Sequence, residues 1–296
     1  MGVRRTLKER LEAAKLRPST RRGQNFLIDS GQLAFIVEMA GLSPGDSVLE
    51  VGPGTGFLTR RLAASGCTLF GVELDFGLLP LAREETASFE KVLLVQGDIL
   101  DGKNRLNAGL LSQFINFSTR DGHRGECKCV SNLPYSIATP FIINLLASPL
   151  PWILGVFLLQ KEAAERLLAA PGSGGYGALS ICAALAAETR LKRIVPPAAF
   201  WPVPKVDSAV VTMAFRPMEN RLDIPWRELR SVTNAVFGAR RKTLRNAVKG
   251  LAGNGSERDT LIALGVNPDE RGENLRPEEF LRLARHLICQ SKRRIP

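Results

Sequence analysis

Asn132-Leu133-Pro134-Tyr135 is the stretch of this chain whose residue types and spacing point most directly to chemistry. The Asn132 side-chain oxygen and the Leu133 carbonyl are two acceptors on adjacent residues, and the Pro134 ring fixes the backbone that carries them. Tyr135 adds an aromatic face at once. Two acceptors aimed at the N–H groups of an exocyclic amine would hold it towards tetrahedral geometry. They would also offset the positive charge that develops as it attacks an electrophile. An adenine amine needs such help, because its lone pair is delocalised into the ring. Standing alone, the motif reads equally as a turn with a packed tyrosine. His123 and His286 are the only histidines, which disfavours histidine acid–base or triad catalysis.

A second constellation is the turn Leu49-Glu50-Val51-Gly52-Pro53-Gly54-Thr55-Gly56. Gly52, Gly54 and Gly56 permit a tight turn and close backbone approach to a ligand. By itself such a loop serves NAD or plain packing as well. Three details favour S-adenosylmethionine. The spacing is G-P-G-T-G rather than G-x-G-x-x-G, Glu50 precedes the glycines where it can attract an ammonium, and no P-loop lysine follows. Glu73 ends the next strand, where a carboxylate can accept both ribose hydroxyls. Asp98, after Gly97, ends the third and can take an adenine amino group. Any one of these acids would pass for an exposed strand end. Three in succession indicate a ligand crevice at the carboxyl edge of an open sheet.

Positioning these residues takes alternating strands and helices. Ser47 to Val51, Thr68 to Leu74, Val92 to Gln96, Lys128 to Ser131 and Ile153 to Gln160 read as strands, with a helix from Phe57 to Ala64. Arg190 to Ile194 and Ser208 to Phe215 form a closing pair. The pattern predicts a mostly parallel, doubly wound sheet in which the fourth strand neighbours the first. Residues 4 to 22 read mostly as a basic helix stopped by Pro18, Gly102 to Gly125 as loop or short helix, and Pro171 to Gly177 as a flexible loop. From Arg216 to Asp223 onwards only helical periodicity remains. The expected domains are therefore 1–216 and an all-helical 217–296.

The chain has 296 residues, with 40 Lys plus Arg against 29 Asp plus Glu, a net charge of +11. Such an excess points to a polyanion, nucleic acid first. Within a helix spanning Val236 to Leu251, Arg241, Arg245 and Lys249 recur at i, i+4 and i+8 on one face. Phe237, Leu244, Val248 and Leu251 form the docking stripe beside them. Arg240, Lys242, Arg21 and Arg22 complete the predicted phosphate-binding set. Five scattered cysteines argue against a disulfide framework and for a reducing cytoplasm. His123, Cys127 and Cys129 lack a nearby fourth ligand, so no metal is expected. No apolar run reaches membrane-spanning length without a charge or breaker, and no secretory signal is evident.

These motifs together resemble the small-subunit ribosomal RNA adenine dimethyltransferases, the kasugamycin-resistance type. The resemblance covers nearly the whole chain. It runs through Gly23-Gln24-Asn25-Phe26-Leu27-Ile28-Asp29, the glycine turn, Glu73 with Asp75, Gly97-Asp98, Asn132 to Tyr135 and Gln160-Lys161-Glu162. It continues through Pro171 to Ser180, Phe200-Trp201-Pro202-Val203-Pro204-Lys205-Val206-Asp207-Ser208 and Arg240-Arg241-Lys242-Thr243-Leu244-Arg245-Asn246. It implies an α/β fold, a Rossmann-like class I methyltransferase sheet with a small all-helical C-terminal domain. The implied substrate is a pair of adjacent adenosines near the 3′ end of small-subunit ribosomal RNA in a pre-ribosomal particle, with the enzyme a monomer. Gln24, Asn25, Leu27, Glu50, Gly52, Gly54, Gly56, Glu73, Leu74, Asp98, Ile99 and Asn132 are the implied S-adenosylmethionine contacts. Asn132, Leu133, Pro134 and Tyr135 are the implied catalytic set, with Phe200 covering the second face of the flipped base. Three features depart from the family pattern: Ser136 in place of Asn, a longer 102–127 segment, and Lys128 in a strand expected to be central. Two other readings share features of the sequence: a large-subunit dimethyltransferase, and an assembly factor that binds RNA.

Overall fold

The computed structural model describes residues 2–19, 23–102, 105–120, 125–217, 226–249 and 257–292. Arg21, Arg22 and His123 lie outside them. The helices and strands run in the order α1 (Gly2–Ala13), β1 (Phe26–Leu27), α2 (Ser30–Ala40), β2 (Ser47–Val51), α3 (Phe57–Ala63), β3 (Thr68–Glu73), α4 (Leu79–Thr86) and β4 (Val92–Gln96). Then follow α5 (Ala108–Thr119), β5 (Cys127–Asn132), α6 (Ala138–Leu146), β6 (Trp152–Gln160), α7 (Lys161–Leu167), α8 (Ala178–Ala186), β7 (Ala187–Val195), β8 (Phe200–Trp201) and β9 (Ser208–Phe215). Short helices complete the chain: α9 (Trp226–Gly238), α10 (Leu244–Ala247), α11 (Glu257–Ala263) and α12 (Pro277–Lys292).

One seven-stranded sheet, in the order β4-β3-β2-β5-β6-β9-β7, carries the architecture. Its first five strands pair in parallel, and β9 runs antiparallel to β6. Every residue of β2 and β3 is buried, as expected for central strands covered on both faces. The order reverses between β2 and β5, which is where ligands bind in open α/β sheets. A second, two-stranded pairing of β1 with β8 ties Leu27 to Phe200 and Phe26 to Trp201.

The segment read as loop or short helix, Gly102 to Gly125, contains the three-turn helix α5. Asn107 caps it by accepting from the Leu110 N–H (3.2 Å). Leu110, Phe114 and Phe117 recur on its buried face, and Phe114 stacks on Trp152 at 5.6 Å. This burial holds a helix that its polar, Gly-bearing flanks obscured.

The chain divides into two compact units, Met1–Ala164 with Thr189–Phe215, and Glu165–Glu188 with Arg216–Pro296. The expected boundary at 216 therefore has a second part: residues 165–188 join the C-terminal unit. The reason is local packing. Tyr176 is buried, its hydroxyl donates to the Leu275 carbonyl (2.8 Å), and its ring meets Phe237 edge-on, while Phe237 stacks on Phe280 at 5.8 Å. The loop read as flexible, 171–177, is pinned by these contacts and by the Gly172 N–H to the Glu273 carbonyl (2.9 Å).

Lys128, out of place in a central strand, is explained by its partners. Its Nζ lies 2.9 Å from Asp46 Oδ2, 2.9 Å from Glu126 Oε2 and 2.9 Å from the Gly41 carbonyl oxygen. Burial works against the ammonium, but the hydrogen bonds and charges of Asp46 and Glu126 outweigh it and raise its pKa. Asp46 Oδ1 also accepts from the Glu126 N–H (3.1 Å), so the cluster fixes the start of β5 against β2. Removing Asp46 strands the cation only in part, because Glu126 and Gly41 remain. Asp46→Ala is expected to lower stability by about 2 kcal/mol, and Lys128→Met to cost much less. Urea midpoints of the two variants check this, and equal losses would contradict it.

Candidate active site

The site begins with the turn after β2. Gly52, Gly54 and Gly56 all have left-handed φ (+72°, +60° and +87°), which favours glycine. A Cβ at Gly52 would stand 3.1 Å from the Pro134 ring, and one at Gly54 would stand 3.2 Å from the Phe26 ring. Gly56 differs, since its Cβ would meet the Ala82 backbone at 2.8 Å. It serves the packing of α3 on α4 and does not line the cavity, which corrects its expected place among the ligand contacts.

A cavity of about 190 Å³ opens at the carboxyl ends of β2, β3, β4 and β5. Gln24, Asn25, Leu27, Glu50, Gly52, Gly54, Glu73, Leu74, Asp98, Ile99 and Asn132 to Tyr135 all line it, together as the sequence suggested. Phe26, Thr55, Leu78 and Ser136 also line it and were missed. Thr55 and Ser136 lie inside or beside the motifs. Phe26 and Leu78 belong to an apolar cluster with Leu7 and Leu11 of α1, which spacing could not reveal. Phe200 does not join them. It is 0% exposed, sits in the main core with Val195 and Val210, and does not line the cavity.

The three acids have different surroundings. Glu73 accepts from the Gly54 N–H at Oε2 (2.8 Å) and the Asp75 N–H at Oε1 (2.8 Å), yet burial still raises its pKa. Each carboxylate oxygen retains a lone pair for a further donor. Asp98 is exposed, and its Oδ1 accepts from the Leu100 N–H (2.9 Å). Glu50 is 1% exposed, and its Oε2 has no hydrogen-bond partner among the described residues. Desolvation pushes its carboxyl up to about 8; the Thr59 hydroxyl opposes this and the charge of Glu73 adds to it. Thr59 Oγ1 makes no geometric hydrogen bond among the described residues, so its influence is electrostatic.

Asn132 ends β5, and its Nδ2 donates to the Asn25 carbonyl (3.2 Å). A carbonyl can only accept, so this contact orients the amide and leaves Oδ1 as the unspent acceptor. The Leu133 N–H donates to the Leu158 carbonyl (3.2 Å), and the Ile137 N–H closes a turn onto the Pro134 carbonyl (3.1 Å). Gln24 joins the N-terminal segment to the acids. Its Nε2 donates to Asp75 Oδ2 (3.0 Å) and its Oε1 accepts from the Ser19 N–H (2.7 Å).

The C-terminal cations are arranged otherwise than expected. The predicted continuous helix from Val236 to Leu251 is broken: α9 stops at Gly238 and α10 spans only Leu244–Ala247. Arg240 donates to the Tyr176 carbonyl and faces Glu273 at 4.0 Å, and Arg245 pairs with Asp269 at 3.4 Å. Arg241, Lys242 and Lys249 are exposed and make no ion pair among the described residues.

The sheet order, the glycine turn and the acids at successive strand ends define a Rossmann-like class I methyltransferase, a class that uses S-adenosylmethionine. The group fits this cavity: the glycines leave room where a Cβ would fill it, and the unpartnered Glu50 oxygen awaits a donor. The chain belongs to the ribosomal RNA adenine dimethylase family, whose sequence pattern matches residues 16–288. It is 38% identical over 269 residues to Ribosomal RNA small subunit methyltransferase A of Shouchella clausii, covering 88% of this chain and 87% of that one. The protein of the same name from Phenylobacterium zucineum is 39% identical, covering 94% and 91%. Among solved structures, the 23S rRNA methyltransferase ErmE matches with a TM-score of 0.59 at 26% identity, covering 89% of this chain and 100% of that one. A dimethyladenosine transferase from Plasmodium falciparum shares the fold, with a TM-score of 0.72 at 23% identity, covering 89% and 97%. No helix among the described residues is long and apolar enough to cross a membrane.

The Glu50 carboxyl sets a pH dependence. Between its ordinary 4.5 and about 8, the folded protein keeps a proton that the unfolded chain has lost. Stability therefore falls as pH rises through that window. Glu50→Gln should lack this contribution. Urea midpoints at about pH 5 and about pH 8 should fall further in the parent protein than in the variant; parallel falls would mean Glu50 is ionised in the fold.

Proposed function

We propose that this enzyme transfers methyl groups to N6 of two adjacent adenosines near the 3′ end of small-subunit ribosomal RNA, acting as a monomer on a pre-ribosomal particle. The oriented Asn132 amide, its Nδ2 on the Asn25 carbonyl, is the observation that carries the reading. The small-subunit assignment follows the name shared by its curated relatives.

S-Adenosylmethionine, when bound, supplies a methyl group on a sulfonium, already activated towards a nucleophile. Glu73, Asp98, Leu74, Ile99 and the Gly52–Gly54 backbone would hold this cofactor, with Gln24 and Asp75 bracing Glu73. Asn132 Oδ1 and the Leu133 carbonyl accept from the target amine, concentrate its lone pair and relieve the charge it gains. Tyr135 supports one face of the base. An activated methyl group makes a strong general base unnecessary, in keeping with a cavity that no histidine lines among the described residues. Arg241, Lys242 and Lys249 bind phosphate, giving affinity and orientation rather than sequence choice.

Primer extension across the 3′ end of small-subunit RNA, with and without the protein, tests the reading. Stops at two adjacent adenosines are expected only with protein and methyl donor, and their absence would overturn it. Asn132→Ala is expected to slow transfer on the order of 100-fold or more, while calorimetry finds the methyl donor bound nearly as before. Near-normal turnover by the folded variant would refute the role of the amide. Replacing Arg241, Lys242 and Lys249 together by Gln should flatten the dependence of log RNA affinity on log salt by about 2. An unchanged slope would mean these cations are merely solvated.

A further inference from the structure

The block from Trp201 to Ser208 stands out in the sequence, yet the reaction as described uses none of it. Its last residue ends inside the protein, directly behind the proposed base platform. Ser208 is 0% exposed, and its Oγ lies 2.7 Å from the Tyr135 hydroxyl. We infer that Ser208 is a positioning residue that fixes the tilt of the Tyr135 ring, and so the plane in which the target base presents its amine.

The anchorage of Ser208 supports this. It is the first residue of β9 and stands opposite Gln160 at the end of β6. The next contact outwards, from the Lys161 N–H to the Asp207 carbonyl (2.9 Å), closes the ladder just beyond it. A hydroxyl held by a paired strand is a fixed point, whereas the tyrosine that it meets follows a turn. That turn is held at its other end too. A Cβ at Gly23 would stand 3.3 Å from the Tyr135 nitrogen and 3.5 Å from its Cβ, so the backbone of 23 is packed against the root of the side chain. Tyr135 is therefore gripped at its root by Gly23 and at its tip by Ser208. The ring between them has little freedom to rotate, and lining the cavity it offers a fixed face. Burial raises the Tyr135 pKa and the Ser208 hydroxyl opposes it, so the phenol stays protonated and able to hydrogen-bond.

A stacking surface with a locked tilt matters because the two acceptors, Asn132 Oδ1 and the Leu133 carbonyl, are themselves fixed. A base plane rotated against them misaligns the amine without weakening its burial, and small misplacements are costly to rate. The inference rests on the stacking role proposed for Tyr135.

The test is a double-mutant cycle in the full-length protein, with undermethylated small ribosomal subunits as substrate and saturating methyl donor. Ser208→Ala and Tyr135→Phe are each expected to lower kcat about tenfold, with methyl-donor affinity unchanged. The double variant should be no slower than the slower single one, because both remove the same hydrogen bond. Thermal unfolding of each variant reports any loss of fold separately from kcat. If Ser208→Ala slows the Tyr135→Phe protein by a further tenfold, Ser208 acts other than through Tyr135 and the inference is overturned. Wild-type kcat in Ser208→Ala overturns it as well. Should Ser208→Ala not fold, Tyr135→Phe decides alone: it keeps the ring, and a wild-type kcat shows that the tip contact is idle. A parent protein that methylates no RNA would overturn the methyl-transfer reading itself, and the role of Ser208 with it.

Discussion

The approach of the Gly52 backbone to the Pro134 ring is the constraint on which the rest of the site depends. A Cβ at Gly52 would lie 3.1 Å from two carbons of that ring. The two residues follow β2 and β5, neighbours in the sheet although about 80 residues apart in sequence. Because β2 and β5 lie at the switch in strand order, their loops diverge and leave a crevice. The same contact brings the glycine turn against the N-L-P-Y motif, so that both line one cavity. Ser131, one residue before Asn132, reinforces it by accepting from the Val51 N–H at Oγ (2.9 Å). Donor site and acceptor site are thus parts of one joint between two strands.

That joint also explains the burial of charge. Glu50 and Glu73 project from adjacent strands into a volume shared with apolar Leu27, Leu58 and Leu133. Two carboxylates in so little water oppose each other's ionisation. Glu73 recovers stability from two backbone N–H groups, whereas Glu50 Oε2 has no partner among the described residues. One acid is therefore held by backbone donors with lone pairs left for hydroxyl groups, and burial pushes the carboxyl of the other up to about 8. The sequence suggested Glu50 as a standing negative charge for an ammonium. Its burial means that such a charge would have to form together with the ligand.

Most of the sheet was legible from residue types, and about half of the cavity lining from the glycine turn, the strand-end acids, the N-L-P-Y motif and the family resemblance. What escaped depends on distant packing. Phe200, given as a second base platform by the family resemblance, packs in the core beside Leu27. Gly56 shares the motif of Gly52 and Gly54, yet it is the arrival of α4 at Ala82 that requires it. Helix α5 was read as loop or short helix because its flanks are polar and Gly-bearing, and only the sheet face it meets shows why Phe114 recurs after Leu110. Lys128 seemed an anomaly until Asp46, far off in sequence, came within 2.9 Å.

The basic C-terminal unit shows how far net charge can mislead. Its cations recur at helical spacing, with no acid nearby in sequence, and this suggested a single phosphate-binding face. Folding brings Asp269 to Arg245 and Glu273 to Arg240, so two of the five predicted cations there are engaged within their own unit. Arg240 also holds the carbonyl of Tyr176, which makes it part of the unit's internal support. Partnered guanidinium groups release fewer counterions on meeting RNA, since their charge is already offset. The effective phosphate-binding charge is therefore smaller than the count of Lys and Arg suggests. The cations left for the proposed RNA contact are Arg241, Lys242 and Lys249, all exposed. Such contacts seat the substrate without choosing its bases. On the proposed reading, choice of the adenine falls to the cavity, where the Asn132 amide, already oriented by Asn25, can accept from an exocyclic amine and would repel a carbonyl oxygen presented in its place.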